Sequence, residues 1–267
     1  MLRPRIIPCL LVHDGGLVKT VRFKEPKYVG DPINAVKIFN EKEADELMVL
    51  DIDATVQGRE PNFRLIAQFA AECRMPLCYG GGIKTVEQAK RIIGLGVEKI
   101  AISSIALERP ELIAEIASEV GSQSVVVVLD VKRRSFGREP EVWTHNGTRS
   151  SGRTAVDVAQ QAAKLGAGEI VINSIDEDGQ MKGYDLALAS KIRAAVRLPM
   201  TVLGGAGSLA DIGKLIDTCG VVGASAGSLF VFKGAYRAVL ISYPSQAQKE
   251  ELIRSALAPA ALAPNQR

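Results

Sequence analysis

The sequence predicts an α/β protein, a (β/α)8 TIM barrel built from two similar half-barrels, and three observations carry that expectation. First, a strand that runs into glycines occurs twice, as Met75–Ile83 (MPLCYGGGI) and Leu198–Gly207 (LPMTVLGGAG). Second, one offset carries Pro76 onto Pro199, Glu46 onto Glu169 and Asp53 onto Asp176. After a one-residue slip it carries Gly96 onto Gly220 and Ser104 onto Ser228. Segments 35–107 and 155–230 are thus two versions of one unit, and a repeat of this kind constrains the fold before any local reading. Third, each unit alternates helix and strand three times, half of an eight-fold pattern, and 267 residues is the usual length of such a barrel. A half-barrel alone leaves both sheet edges open. Residues 1–245 are therefore expected to form one barrel, and 246–267 a C-terminal helix with a frayed tail.

Bulk properties narrow the function. A hydrophobic content of 47% with 24% charged residues is ordinary for a soluble globular enzyme. A net charge of +3 is too small to argue for nucleic acid. Cys9, Cys73, Cys78 and Cys219 are scattered without CxxC spacing, which favours buried thiols over zinc or disulfides. His13 and His145 are too few for a His-rich metal site, and no metal or other cofactor is expected. The apolar run IIPCLLV is too short to span a membrane and has no cleavage site after it, so the expectation is cytoplasmic.

Strand one is Ile6–Val12, an apolar and β-branched run. The stretch after it, HDGGLVKTVRFKEPKYVGDP, is long for a connection without a helix, and such loops often carry function. Lys19 there suits an anionic substrate if the loop is flexible; a solvated surface hairpin is the equal alternative. Asp31 and Pro32 start the first helix as cap and first-turn residue. Strand two, Glu46–Asp53, ends in Asp51 and Asp53, where barrel active sites gather. Strand three opens into Gly80-Gly81-Gly82, whose bare N–H groups either cradle a phosphate or simply turn the chain. Strand four, Lys99–Ser104, brings Ser103 and Ser104 beside that loop.

Strand five, Ser124–Val131, is a continuous apolar run of the kind buried on both faces. Its single acid, Asp130, must be paired, hydrated or functional, and its position favours function. Turn signals at Phe136-Gly137 and Asn146-Gly147 bracket a polar hairpin expected to lie over the barrel mouth. The glycosylation pattern at Asn146-Gly147-Thr148 is discounted because no secretion signal accompanies it. Strand six, Glu169–Asp176, ends in Asp176-Glu177-Asp178-Gly179. Strand seven, Met200–Leu203, leads into Gly204-Gly205-Ala206-Gly207, and strand eight, near Val222–Ala226, into Gly227-Ser228. Loops after strands seven and eight commonly hold phosphate. Two cradles related by the repeat and facing across the mouth imply a long substrate with an anion at each end.

The ordered motifs RIIPCL (Arg5–Leu10), ADELMVLDI, YGGGI, GSQSVVVVLD, GAGEIVINSID, GYD and GGAG resemble the cyclase subunit of imidazole glycerol phosphate synthase over residues 1 to about 245. The resemblance implies a separate glutaminase partner that makes ammonia, which travels through the barrel core. There the cyclase uses it to split and cyclise a bis-phosphorylated ribulosyl formimino nucleotide. It places Gly82, Ser103 and Ser104, with the adjoining Gly81, on a first phosphate site. Gly179, Gly205 and Ser228, with the adjoining Gly204 and Gly227, fall on or near a second. Asp130 matches one of two catalytic aspartates and Lys19 the mobile-loop lysine; Asp51 and Asp178 complete the candidate catalytic set. Arg5, Glu46, Lys99 and Glu169 match a charged ring at the ammonia entrance, which is also readable as a stabilising ion-pair network.

One departure is serious. The family's other catalytic aspartate falls on Leu11, and leucine can be neither acid nor base. Glu177 replaces a basic residue, and Asn173 and Ser103 replace other neighbours. This pattern and the segment LFVFKGAYRAVLISYP (Leu229–Pro244) resemble the acetamidino-modification paralogues encoded with bacterial surface-polysaccharide genes. That implies ammonia delivered to the N-acetyl group of a nucleotide-activated sugar. Two readings compete with it: a histidine-pathway cyclase that has moved its acid to Asp14, Asp51 or another carboxylate, and a non-catalytic glutaminase activator that hands ammonia onward.

Overall fold

In the computed structural model, which describes residues 3–134, 139–234 and 236–258, eight parallel strands pair in chain order. They are Arg5–His13, Leu47–Asp51, Leu77–Gly80, Lys99–Ile102, Val125–Lys132, Glu169–Ser174, Met200–Leu203 and Gly223–Ala226. The fifth and sixth pair across the two repeat halves, from Val126 opposite Glu169 to Val131 opposite Ser174. The eighth returns to the first, Gly223 opposite Arg5 and Ala226 opposite Pro8. The ring of eight parallel strands is closed and has no free edge, as the expected (β/α)8 barrel requires.

Short polar caps start the surrounding helices. Asp31 accepts from Asn34 N–H ahead of helix Pro32–Glu41, and Thr85 with Gln88 forms a capping box ahead of Val86–Gly94. Asn62, Thr154, Asp185 and Ser208 cap the helices Phe63–Glu72, Ala155–Lys164, Leu186–Ala195 and Leu209–Cys219 in the same way. No helix among the described residues is long and apolar enough to cross a membrane. The four cysteines are free thiols.

Alternation with period two sorts the strand side chains into two cores. Residues such as Ile6, Leu10, Val49, Val127 and Ile172 face the helices in the larger cluster. Ile7, Cys9, Met48, Cys78, Ala101, Val126, Val128, Val171 and Leu203 fill the barrel interior, with Leu11 and Leu50 packed against them. The inward column of strand one therefore reads Arg5, Ile7, Cys9, Leu11, and that of strand six Glu169, Val171, Asn173. Charge lies at the bottom, an apolar section in the middle, and the functional candidates at the top.

The long connection after strand one is an antiparallel hairpin, Gly16–Val21 with Lys24–Gly30, zipped onto the strand's end with His13 opposite Gly16. Of the two alternatives for this stretch the structure has the hairpin. Its local signal is Asp14-Gly15, with φ of 47° and 77°, a pair of left-handed residues suited to a two-residue hairpin turn. A second hairpin, Glu141–Thr144 with Arg149–Thr154, extends strand five, Trp143 lying opposite Asp130. Its turn uses Asn146-Gly147 as expected; the Phe136-Gly137 signal lies outside the described residues. At the opposite face, helix Gln246–Leu257 is strapped down by buried Lys249, which binds Asp45 Oδ1 (2.7 Å) and Glu43 O (3.1 Å). The expected frayed tail lies outside the described residues.

Candidate active site

At the bottom of the interior column Arg5, Glu46, Lys99 and Glu169 close a ring. Arg5 bridges Glu46 and Glu169, and Lys99 Nζ lies 2.9 Å from both acids. Thr201, which the sequence reading did not single out, donates its hydroxyl to Glu169. The two acids are nearly inaccessible, with side chains 3% and 6% exposed. Burial alone would raise the Glu169 carboxyl, but Arg5 and Lys99 outweigh it and hold the group below the ordinary glutamate value. Burial likewise pulls Arg5 down, and Glu169 and Glu46 together reverse it. Buried charges on this scale persist only when mutually paired.

Leu11, Asp130 and Asn173 meet at the top of the column. Asn173 donates from Nδ2 to Asp130 Oδ1 (2.9 Å), and Ser103 donates its hydroxyl to Oδ2 at 3.4 Å. Asp130 is walled by protein yet keeps a partial opening to the cleft. Burial pushes its carboxyl up to about 7, against the downward pull of the Asn173 and Ser103 bonds. A carboxylate with that value exchanges a proton at neutral pH, which is what general acid–base work needs. Leu11 lines the same opening and offers no polar atom.

Two glycine-edged cavities flank this layer, with Leu11, Phe23 and Asn173 lining both. The larger, about 220 Å³, gathers Gly80, Gly81, Gly82, Ser103, Ser104, Asp51 and Asp130. His145 and Asn146 close it from the second hairpin, and Asn146 Nδ2 ties that hairpin to Ile52 O at 2.8 Å. The smaller, about 40 Å³, gathers Lys19, Asp178, Gly179, Gly204, Gly205, Gly227 and Ser228. The predicted site residues after strands three, four, six, seven and eight are thus brought to one face. Arg5, Glu46, Lys99 and Glu169 stand together at the other.

Lys19 is not a solvated loop cation. It is 5% exposed, donates to Cys9 O and lines the smaller cavity, where a Cβ added to Gly227 would lie 2.6 Å from its Nζ. Burial lowers its pKa, partly countered by Cys9 and Asp178. Asp178 locks the first hairpin over the mouth: it accepts from Thr20 Oγ1 (2.6 Å) and Phe23 N–H (3.1 Å), and its carbonyl accepts from Arg22 N–H. Burial raises the Asp178 carboxyl despite these bonds. Asp51 Oδ1 accepts from Asp53 N–H and Ala54 N–H at 3.0 Å, so it also holds the turn after strand two. Glu177 pairs with Arg133, which also binds Asp185.

Among the described residues one cluster has the donors for a metal ion, His13, Asp14 and Asp53, with ligand atoms within 4.8 Å of one another. Both Asp53 oxygens are already engaged, by His13 Nδ1 and by Asp14 N–H, each at 2.8 Å. That arrangement pins the start of the hairpin. Asp14, named as an alternative acid, has a side chain 75% exposed at that turn and lines neither cavity.

Close backbone approach explains the glycines. A Cβ on Gly205 would come within 2.1 Å of Gly183 O at φ +107°, whereas Gly220 at φ +69° has open space. Gly205→Ala is expected to destabilise by about 2–4 kcal/mol and Gly220→Ala by about 1 kcal/mol. Urea unfolding checks the pair; equal losses would remove close approach as the cause.

The family described as "Histidine biosynthesis protein" matches residues 5–237. A Vibrio vulnificus protein, provisionally named imidazole glycerol phosphate synthase subunit hisF3, is 59% identical over 253 residues, 95% of this chain and 97% of that one. A Pseudomonas aeruginosa protein, provisionally named subunit hisF2, is 55% identical over 244 residues, 91% and 97% of the two chains. The imidazole glycerol phosphate synthase subunit HisF of Exiguobacterium sibiricum is 42% identical over 230 residues, 86% and 91%. The barrel, its two glycine-edged cavities and the extent of these matches show that the chain belongs to the histidine biosynthesis protein family.

Proposed function

We propose that this chain is the ammonia-using synthase subunit of a glutamine amidotransferase, with a separate glutaminase docked at the face that carries the charged ring. Ammonia enters past Arg5, Glu46, Lys99 and Glu169, follows the apolar column and reaches Asp130. The acceptor is held by the two cradles, Gly81, Gly82, Ser103 and Ser104 on one side and Gly179, Gly204, Gly205, Gly227 and Ser228 on the other. Lys19 supplies a cation at the second. The acceptor we favour is the N-acetyl group of a nucleotide-activated sugar, which ammonia converts to an acetamidino group for surface polysaccharide. Ammonia adds to the acetamido carbon, and Asp130 takes a proton from the added nitrogen and passes it to the former carbonyl oxygen. That oxygen leaves as water once a second nitrogen proton has followed, or as phosphate where a nucleoside triphosphate has first phosphorylated it.

The observation that carries this reading is Leu11 in the layer of Asp130. Imidazole closure needs an acid and a base with separated pKa values, and this opening has one carboxylate in that layer. The second reading, cyclase of the histidine pathway, is favoured by the two cradles, which suit a substrate with phosphate at each end.

The test gives purified protein the ribulosyl formimino nucleotide with excess ammonium salt at alkaline pH, beside Leu11→Asp. No turnover by the wild type and a measurable rate in Leu11→Asp supports a barrel that has left imidazole chemistry. Wild-type turnover would sink the acetamidino reading. An N-acetylated nucleotide sugar with the glutaminase partner is the positive arm.

A further inference from the structure

Asn173 is 6% exposed, faces the interior and lines both cavities. Its Nδ2 is committed to Asp130, and because an ionised carboxylate only accepts, that bond sets the orientation of the amide. The other amide atom, Oδ1, is buried and has no hydrogen-bond partner. It points toward strand seven, where a Cβ on Gly204 would meet it at 3.4 Å. A buried acceptor without a partner is destabilising, so it calls for a donor.

Below Oδ1 the apolar part of the column consists of Val171, Val128, Leu203, Cys9 and Ala101, and the Ser225 hydroxyl beside Ile7 is turned to the Ile7 carbonyl. A small neutral donor that rises from the ring past these residues reaches Asn173 and Asp130 together, at the level of the cleft. We propose that Asn173 is the ammonia-receiving residue, its Oδ1 accepting one N–H of ammonia while Asp130 accepts another. This rests on the ammonia-using reading above and deepens it.

Two acceptors on one side leave the nitrogen lone pair free to face the cleft. Leu11, on the opening, neither accepts an N–H nor donates to the lone pair. Asn173 also positions Asp130 through Nδ2, so one side chain serves both partners of the proton transfer.

The experiment is a titration of ¹³C-labelled Asp and Asn side-chain carbonyls with ammonium chloride at alkaline pH. Sodium chloride and tetramethylammonium chloride, which has no N–H, are the controls. The Asn173 and Asp130 signals are expected to shift together and saturate with ammonium chloride only. Asn173→Leu is expected to weaken the saturable Asp130 shift at least 10-fold; if it does not fold, Asn173→Thr is expected to weaken it less. Shifts that match the salt controls, or a variant that responds like the wild type, overturn the proposal. Because no acceptor substrate is present, this outcome is separate from turnover, which judges the ammonia-using reading itself. Where turnover is measured, the variant raises the KM for ammonia at least 10-fold and the KM for the acceptor much less, although Asn173 lines the cavities that hold the acceptor. A purely structural role for Asn173 would move both alike.

Discussion

Asp130→Asn is expected to lower ammonia-dependent turnover by about 10²–10⁴-fold, the range for losing a positioned acid–base group. The wild-type rate should climb with pH through about 7, because Asp130 must be ionised to take the proton and burial has raised it to that value. The same substitution should stabilise the protein above neutrality. The folded-state value lies above the unfolded one, so the fold favours the protonated form. That contribution is whole below the unfolded value near pH 4 and is lost as pH rises through about 7. Asparagine carries no such penalty. Thermal melts should therefore show a gain for Asp130→Asn at pH 8 of a few degrees, and none near pH 4. A variant that keeps full ammonia- and glutamine-dependent activity would instead identify the barrel as a conduit.

Lys99→Met is expected to cost about 3–5 kcal/mol, because it leaves Glu46 and Glu169 buried with Arg5 as their one remaining ring cation. The pH dependence follows from Glu169, which is held below its unfolded value. A depressed carboxyl contributes stability above the unfolded value, lost as pH falls through the folded one. The gap between wild type and variant should be widest near neutrality and close on acidification. Adding Glu46→Gln removes the surplus negative charge, so Lys99→Met with Glu46→Gln should be more stable than Lys99→Met alone, although it lacks more of the ring. A double variant less stable than the single one would show that packing, and not charge balance, holds the ring. With the glutaminase bound, both variants should lose glutamine-dependent turnover more than ammonium-dependent turnover.

The candidate site was legible where it depends on short-range pattern. Asp130 stood out as the single acid near the end of an apolar strand, and Leu11 as the residue at the family's strand-one aspartate position. The family resemblance, and not alternation, brought Arg5 together with Glu169 before any distance was known. Thr20, Phe23 and Thr201 were not legible, since nothing local marks a hydroxyl or an amide N–H as the partner of a distant Asp178 or Glu169. Lys19 was misplaced between flexible loop and solvated hairpin for the same reason. Its burial comes from a hairpin folding back over strands six and eight.

By itself the sequence determined the barrel, the repeat that relates its halves, the glycine loops at the top and the single acid near the end of strand five. Each follows from residue type and period, which a strand expresses whatever surrounds it, whereas the charged ring and the acid replaced by Leu11 came from the family resemblance. Only the tertiary structure decided that the two cavities are unequal, that Lys19 is buried against the smaller, and that Asp178 and Asp51 hold loops. It also decided that Asn173 gives one amide atom to Asp130 and leaves the other unpartnered. Those facts depend on which groups meet across the closed barrel and how far each is withdrawn from water, and burial is a property of the assembled sheet rather than of any stretch within it.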